Sequence, residues 1–206
     1  MTAPLQEEKI GRGRITPAKG YLVYDPELCT GCHVCEASCS FVKEGSIRPS
    51  LSRIQVHRNP FLGTVDNFQP KPCLQCEIPQ CMLACPVEGA MQVDEKTGAR
   101  VIHGHLCPTG CTTCRDACGS YFDPPRIILH PDKKTPLKCD LCSGTPACVK
   151  WCPNGALRYI NRTKLVEGGG SYRRSFTEAF TKDFGPTYEL FQGAKWQYRG
   201  PWLEEE

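Results

Sequence analysis

The sequence predicts an α+β, loop-rich fold of two similar small units that carry metal-binding thiols, followed by a C-terminal extension. Three observations predict it. The 206-residue chain has sixteen cysteines, and they fall into four groups of four with none left over. Eighteen prolines and nineteen glycines punctuate the chain and leave room only for short helices and strands. Short alternating apolar stretches follow the cysteine groups, as the strands of small hairpins do.

Residues 1–20 read as an N-terminal arm. Lys9, Arg12, Arg14 and Lys19 make it basic, as a solvated tail or a docking arm. Met1 to Ile10 lacks the apolar run of a secretory leader, so the chain is expected in the cytoplasm. Residues 21–160 hold the paired units. Tyr21-Leu22-Val23-Tyr24 alternates as a strand and leads through Asp25-Pro26 into the first group, Cys29, Cys32, Cys35 and Cys39. Residues 40–72 form an insertion with a strand at Arg53–His57 and a loop at Gln69-Pro70-Lys71-Pro72. It reads equally as a clamp for a partner or as a piece that closes the sheet. The second group is Cys73, Cys76, Cys81 and Cys85. Ala90–Asp94, Glu95–Gly98 and Ala99–His103 then read as strand, turn and strand. Cys107, Cys111, Cys114 and Cys118 follow, then Cys139, Cys142, Cys148 and Cys152, then a strand at Ala156–Ile160.

Residues 161–206 hold no cysteine. Ser175 and Glu178 have capping-box spacing, Phe176, Phe180 and Phe184 recur at helical spacing, and Gly185-Pro186 ends the run. A helix near 175–184 is expected, its aromatic stripe packed on this chain or docked on a partner.

Thiols in such numbers serve as disulfides, zinc ligands or cluster ligands. Disulfide frameworks belong to short secreted chains, and no secretory signal is visible. Structural zinc sites pair two C-x-x-C knuckles across a longer gap, whereas each group here packs its cysteines within 11 to 14 residues. The first group reads C-x2-C-x2-C-x3-C, the run in which three thiolates and a fourth from elsewhere hold a [4Fe–4S] cube. Cys85-Pro86 and Cys152-Pro153 reproduce its Cys-Pro ending. Four [4Fe–4S] clusters are the expectation. A structural zinc scaffold, or one zinc among three clusters, is the rival of another class. The formal charge of +3 becomes about −5 once four cubes add roughly −2 each, so it does not argue for nucleic acid. No apolar run approaches the roughly 20 residues that span a bilayer. No Walker motif and no G-x-G-x-x-G after a strand appears, and the five histidines are scattered, with His33 and His105 beside cysteine groups. The chain shows no catalytic constellation of its own.

Cys29-Thr30-Gly31-Cys32-His33-Val34-Cys35-Glu36-Ala37-Ser38-Cys39, with Pro49-Ser50-Leu51-Ser52-Arg53-Ile54 after it, resembles the four-cluster ferredoxin-type electron-transfer subunits of tungsten or molybdenum oxidoreductases. So does Lys138-Cys139-Asp140-Leu141-Cys142 with Pro146-Ala147-Cys148-Val149-Lys150-Trp151-Cys152-Pro153. The closest look is of small subunits beside aldehyde:ferredoxin oxidoreductase-type catalytic subunits, including those of class II benzoyl-coenzyme A reductase complexes. The resemblance implies two ferredoxin-like units and a crossed ligand scheme. One cluster would use Cys29, Cys32, Cys35 and Cys152; the next Cys39, Cys139, Cys142 and Cys148; a third Cys73, Cys76, Cys81 and Cys118; the last Cys85, Cys107, Cys111 and Cys114. It also implies a non-catalytic wire between a tungsten or molybdenum catalytic subunit and a ferredoxin or flavin-containing partner. Subunits of dimethyl sulfoxide reductase-type, formate dehydrogenase, hydrogenase or carbon monoxide dehydrogenase complexes are the alternative. The chain departs from the pattern in the third group. One extra residue stands in Cys107-Pro108-Thr109-Gly110-Cys111, and Cys118 is followed by Gly119 rather than proline.

Overall fold

The structure is a computed structural model that describes residues 18–58, 68–76 and 78–161. Lys9, Arg12 and Arg14, part of the insertion, and the expected helix with its aromatic stripe lie outside the described residues. Strand β1 (Gly20–Tyr24) pairs antiparallel with β8 (Leu157–Asn161), Leu22 opposite Tyr159, so the two ends of the described chain meet. Between them lie three further ribbons of two strands each: β2 (Gln55–Arg58) with β3 (Phe68–Lys71), β4 (Met91–Val93) with β5 (Arg100–Ile102), and β6 (Ile128–Leu129) with β7 (Pro136–Leu137). The expected strand–turn–strand after the second group is β4–β5, closed by the Asp94 carboxylate accepting from the Thr97 amide at 2.8 Å. Among the described residues no helix is long and apolar enough to cross a membrane.

Each cysteine group feeds a helix. Helix α1 (Val34–Glu44) is the longest, with Glu36 in its first turn and Lys43 in its last, both favourable to the helix dipole. Gly45 ends it at φ 69°, donating its N–H to the Phe41 carbonyl at 2.8 Å. The others are short: α2 (Gln80–Leu83), α3 (Thr113–Gly119) and α4 (Ala147–Lys150). α1 packs on α4, and α2 on α3. One core gathers Leu22, Ile54, Leu141 and Leu157 with five of the cysteines; a smaller one gathers Met91 and Ile127 with Cys114 and Cys118.

The insertion corrects two expectations. Gln69-Pro70-Lys71 is not a loop but most of β3. A proline fits there because each strand of a two-stranded ribbon keeps one free edge, where a missing N–H costs nothing. Among the described residues the ribbon also extends no sheet, since β2 and β3 pair there only with each other. Instead Phe68 lies over Gly31 in the first cysteine loop. Gly31 has φ +67°, and a Cβ there would run into the Phe68 ring. Gly31→Ala therefore meets both a clash and a left-handed backbone that costs an ordinary residue about 1–2 kcal/mol. It is expected to lower the melting midpoint of the anaerobic holoprotein by at least about 2–4 °C, read by circular dichroism. An unchanged midpoint would mean that the ribbon does not press on the loop.

Candidate metal centres

The four cysteine loops share one backbone device. The residue before the second cysteine of every group is left-handed: Gly31 at φ 67°, Gln75 at 52°, Gly110 at 80° and Leu141 at 59°. In the fourth group the left-handed run continues through Cys142 and Ser143. Such a turn folds the chain around a centre and aims successive amides inward. Gly110 holds the same place as Gly31, so the extra residue of the third group sits upstream of the turn.

The last two cysteines of each group stand at i and i+4, on one helical face about one turn apart. Cys35 and Cys39 lie on α1, Cys114 and Cys118 on α3; Cys81 lies on α2 with Cys85 just after it, and Cys148 on α4 with Cys152 just after it. One helix can thus present thiols to two neighbouring centres.

Two clefts collect particular thiols. The first holds about 340 Å³ of empty space, its open mouth included, and is lined by Cys29, Cys32, Cys35 and Cys152. Val56 and Pro70 of the insertion ribbon form part of its wall. The second, of about 310 Å³, is lined by Cys73, Cys76, Cys81 and Cys118, with Gln75, Arg100, Arg126 and Lys138 beside them. The other thiols raise one another's pKa in addition to the larger effect of burial. Cys142 acts on Cys39, and Cys39 and Cys142 both act on Cys148. Cys73, then Cys148 and Cys39, act on Cys139. Cys85 and Cys111 act on Cys107, and Cys81, then Cys85, Cys107 and Cys111, on Cys114.

Burial pushes the Cys35 thiol up to about 12, with the Glu36 and Cys29 charges adding to it. Burial likewise takes Cys76 and Cys114 to about 12, and Cys81 to about 11 although Lys138 pulls that thiol down. Without metal these groups hold their protons, and metal binding must release them. Backbone amides oppose burial at the sulfurs. Arg53 N–H donates to Cys39 Sγ at 3.3 Å and Arg126 N–H to Cys118 Sγ at 3.2 Å. Amides of Gly31, Glu36, Met82, Leu141 and Val149 act the same way on Cys29, Cys35, Cys81, Cys139 and Cys148.

This donor set fits an iron–sulfur cluster. Four thiols line each described cleft, with amides aimed at sulfur, the hydrogen bonds that tune such clusters. A single zinc needs its sulfurs at about 2.3 Å from one point. Among the described residues no three His, Cys, Asp or Glu side chains are gathered that way.

The sequence reading missed the charges between the sites. Lys138 is buried, and its Nζ donates to the Arg100 carbonyl at 2.6 Å, Gln75 Oε1 at 3.2 Å and the Cys139 carbonyl at 3.4 Å. Burial pushes its ammonium pKa down, but negative charge on Cys73, Cys81 and Cys139, which ligation of metal would leave as thiolates, outweighs that and shifts it upward. Gln75 Nε2 donates to the Cys139 carbonyl at 2.7 Å, and the Arg100 amide donates to Gln75 Oε1 at 2.9 Å. Gln75, inside a C-x2-C pair, and Lys138, next to a cysteine, carried no spacing signal of their own. His33 is half-exposed, pairs with Glu36 at 2.8 Å and stands in the wall of the first cleft.

A family described as "4Fe-4S dicluster domain" matches residues 64–162. The polyferredoxin-like subunit of aliphatic sulfonate oxidoreductase from Pyrococcus furiosus is 40% identical over 163 residues, covering 79% of this chain and 85% of that protein. Formate hydrogenlyase subunit 2 of Escherichia coli is 30% identical over 208 residues, covering 85% of this chain and 96% of that one. Among solved structures, the active-site complex BamBC of benzoyl coenzyme A reductase aligns over 85% of this chain and 96% of its own at 25% identity, with a TM-score of 0.39. With its thiol-lined clefts and these relatives, the chain belongs to the family of ferredoxin-like 4Fe–4S subunits of oxidoreductases, as an iron–sulfur electron-transfer subunit.

Proposed function

We propose that the sixteen cysteines hold four [4Fe–4S] clusters in the crossed scheme, the first group exchanging ligands with the fourth and the second with the third. The sets are Cys29, Cys32, Cys35 and Cys152; Cys39, Cys139, Cys142 and Cys148; Cys73, Cys76, Cys81 and Cys118; and Cys85, Cys107, Cys111 and Cys114. The observation that carries the scheme is the lining of the two clefts, each by the four cysteines of one set. Once Cys35 and Cys152 serve the first cleft, and Cys81 and Cys118 the second, their partners one turn away, Cys39 and Cys148, Cys85 and Cys114, are left for the other two sets. Residues 21–160 then form two ferredoxin-like units, one around α1 and α4 and the other around α2 and α3. Residues 1–20 are an arm and 161–206 a partner-docking extension.

Bound clusters supply one-electron carriers. The chain's own residues fix where those carriers sit and how easily they accept charge. The charges of neighbouring sets act on one another in a line. Cys35 of the first acts on Cys148 of the second, Cys73 of the third on Cys139 of the second, and Cys81 of the third on Cys114 of the fourth. A linear order gives a path with two ends. One end faces a tungsten or molybdenum catalytic subunit of aldehyde oxidoreductase or benzoyl-coenzyme A reductase type. The other faces a ferredoxin or flavin-containing partner. The chain itself is non-catalytic and works in the cytoplasm. The formate hydrogenlyase relative supports a second reading, a subunit of a formate dehydrogenase or hydrogenase assembly.

Metal analysis of the complex captured anaerobically through this chain tests both. The isolated chain should carry about sixteen iron atoms, and the complex should add tungsten. Molybdenum or nickel instead would move the partner to the second reading. About twelve iron with one zinc would take the third group out of the wire, and zinc alone would end the electron-transfer role.

A further inference from the structure

We propose that Lys138 is the tuning charge of the middle step of the wire, a buried ammonium that raises the reduction potentials of the two inner cluster sites. The inference rests on the crossed ligand scheme. Three steps join four centres in a line. The outer two each run along helices that carry a thiol for both sides, α1 and α4 in one unit, α2 and α3 in the other. Among the described residues no helix spans the middle step, from the set with Cys139 to the set with Cys73. What lies there is Lys138, held by Gln75, Arg100 and Cys139.

The charge state follows from geometry. Nζ has three partners, Gln75 Oε1 and the carbonyls of Arg100 and Cys139, and all three are acceptors. Only an ammonium has three hydrogens to give. The side chain is buried, so water does little to screen it. It lines the cleft of Cys73, Cys76, Cys81 and Cys118 and is joined by the chain itself to Cys139. A one-electron reduction adds one negative charge to a cluster site, and no proton need follow, since the lysine already holds its full complement. A fixed positive charge beside the site favours the state with the added electron. Lys138 lines the cleft of the third set and donates to the carbonyl of Cys139 in the second, whereas it lines no part of the cleft of the first set. The effect should therefore be confined to two of four centres.

The test is a redox titration of the anaerobically purified full chain, followed by electron paramagnetic resonance and visible absorbance, with iron and sulfide counted in parallel. Lys138→Met should keep its iron and lower two of the four midpoints, each by at least tenfold in the reduction constant, about 59 mV for one electron. Lys138→Arg should hold all four near their original values. Four unmoved midpoints with full iron would overturn the proposal and leave the ligand scheme intact. An equal fall of all four would also overturn it, since a local charge cannot act evenly along the line. If Lys138→Met loses iron, Lys138→Gln takes its place; loss from both would make the lysine structural and end the tuning role. A wild-type chain without iron would remove the ligand scheme itself, a failure visible before any variant is made.

Discussion

Cys152→Ser is expected to cost the chain about four of its roughly sixteen iron atoms and to abolish the cluster signal of the site built on Cys29, Cys32 and Cys35. Cys152 stands 113 residues from Cys39, the end of the first group, so nothing local favours this result over loss of the fourth group's own centre. The fold favours it. β1 and β8 bring the two ends of the described chain together, and α4 lies on α1. Asn154, just after Cys152, donates to the Leu28 carbonyl and to Thr30 Oγ1, both at 3.1 Å, which ties the end of the fourth group to the first loop. The Cys152 charge reaches Cys29, and the two share a cleft. Cys148, one turn earlier on α4, faces Cys39 and Cys142 and should keep its centre. The check is iron and sulfide content together with the paramagnetic signals of the reduced chain. Loss of the centre built on Cys73 instead, or loss of the one built on Cys139, would overturn the crossed scheme. The matching variant Cys118→Ser should remove a different quarter of the iron.

Much of this site was legible because coordination chemistry writes itself into spacing. A helix-borne pair of thiols must stand four residues apart to face two centres, and all four groups show that step. Strands β1, β4, β5 and β8 were legible because each alternates within a short run bounded by turn residues. Other features left no such mark. β3 was hidden by Pro70, which reads as a breaker unless the strand is known to lie at an edge. The β6–β7 ribbon has only two residues per strand, too short for any periodicity. The left-handed turn before each second cysteine shows as glycine at Gly31 and Gly110, but as Gln75 and Leu141 in the other groups, where tertiary packing imposes a conformation the side chain does not prefer. Lys138 was least visible. A lysine between Leu137 and Cys139 looks like any solvated residue, and its burial comes from Gln75 and Arg100, which are distant in sequence.

Stripping the iron from the oxidised holoprotein with a chelator is expected to abolish its cooperative melt and most of its far-ultraviolet dichroism. The reason is the composition of the core. Five of the eleven residues in the main buried cluster are cysteines, as are two of the four in the smaller one. Among the described residues every sheet is two-stranded, and such ribbons are marginal alone. The left-handed residues Gln75, Leu141, Cys142 and Ser143 each store about 1–2 kcal/mol that the apolar residues must hold in place. Charge adds to the imbalance. Burial raises the pKa of Cys76 and Cys81, so at neutral pH the bare thiols take up protons. Lys138 then stays in the interior with its counter-charge gone, a change of the kind that costs about 3–5 kcal/mol when one partner of a buried pair is lost. Against this the apolar side chains of two small cores are a weak restoring force. Metal-thiolate bonds therefore supply folding energy here, as at structural zinc sites. Iron, sulfide and a thiol reductant, added back without oxygen, should restore both the dichroism and the visible absorbance. An apo chain that keeps its dichroism and its melt would show that the short ribbons and the apolar residues hold the fold without the clusters, and that ligand exchange between distant groups is not what staples it.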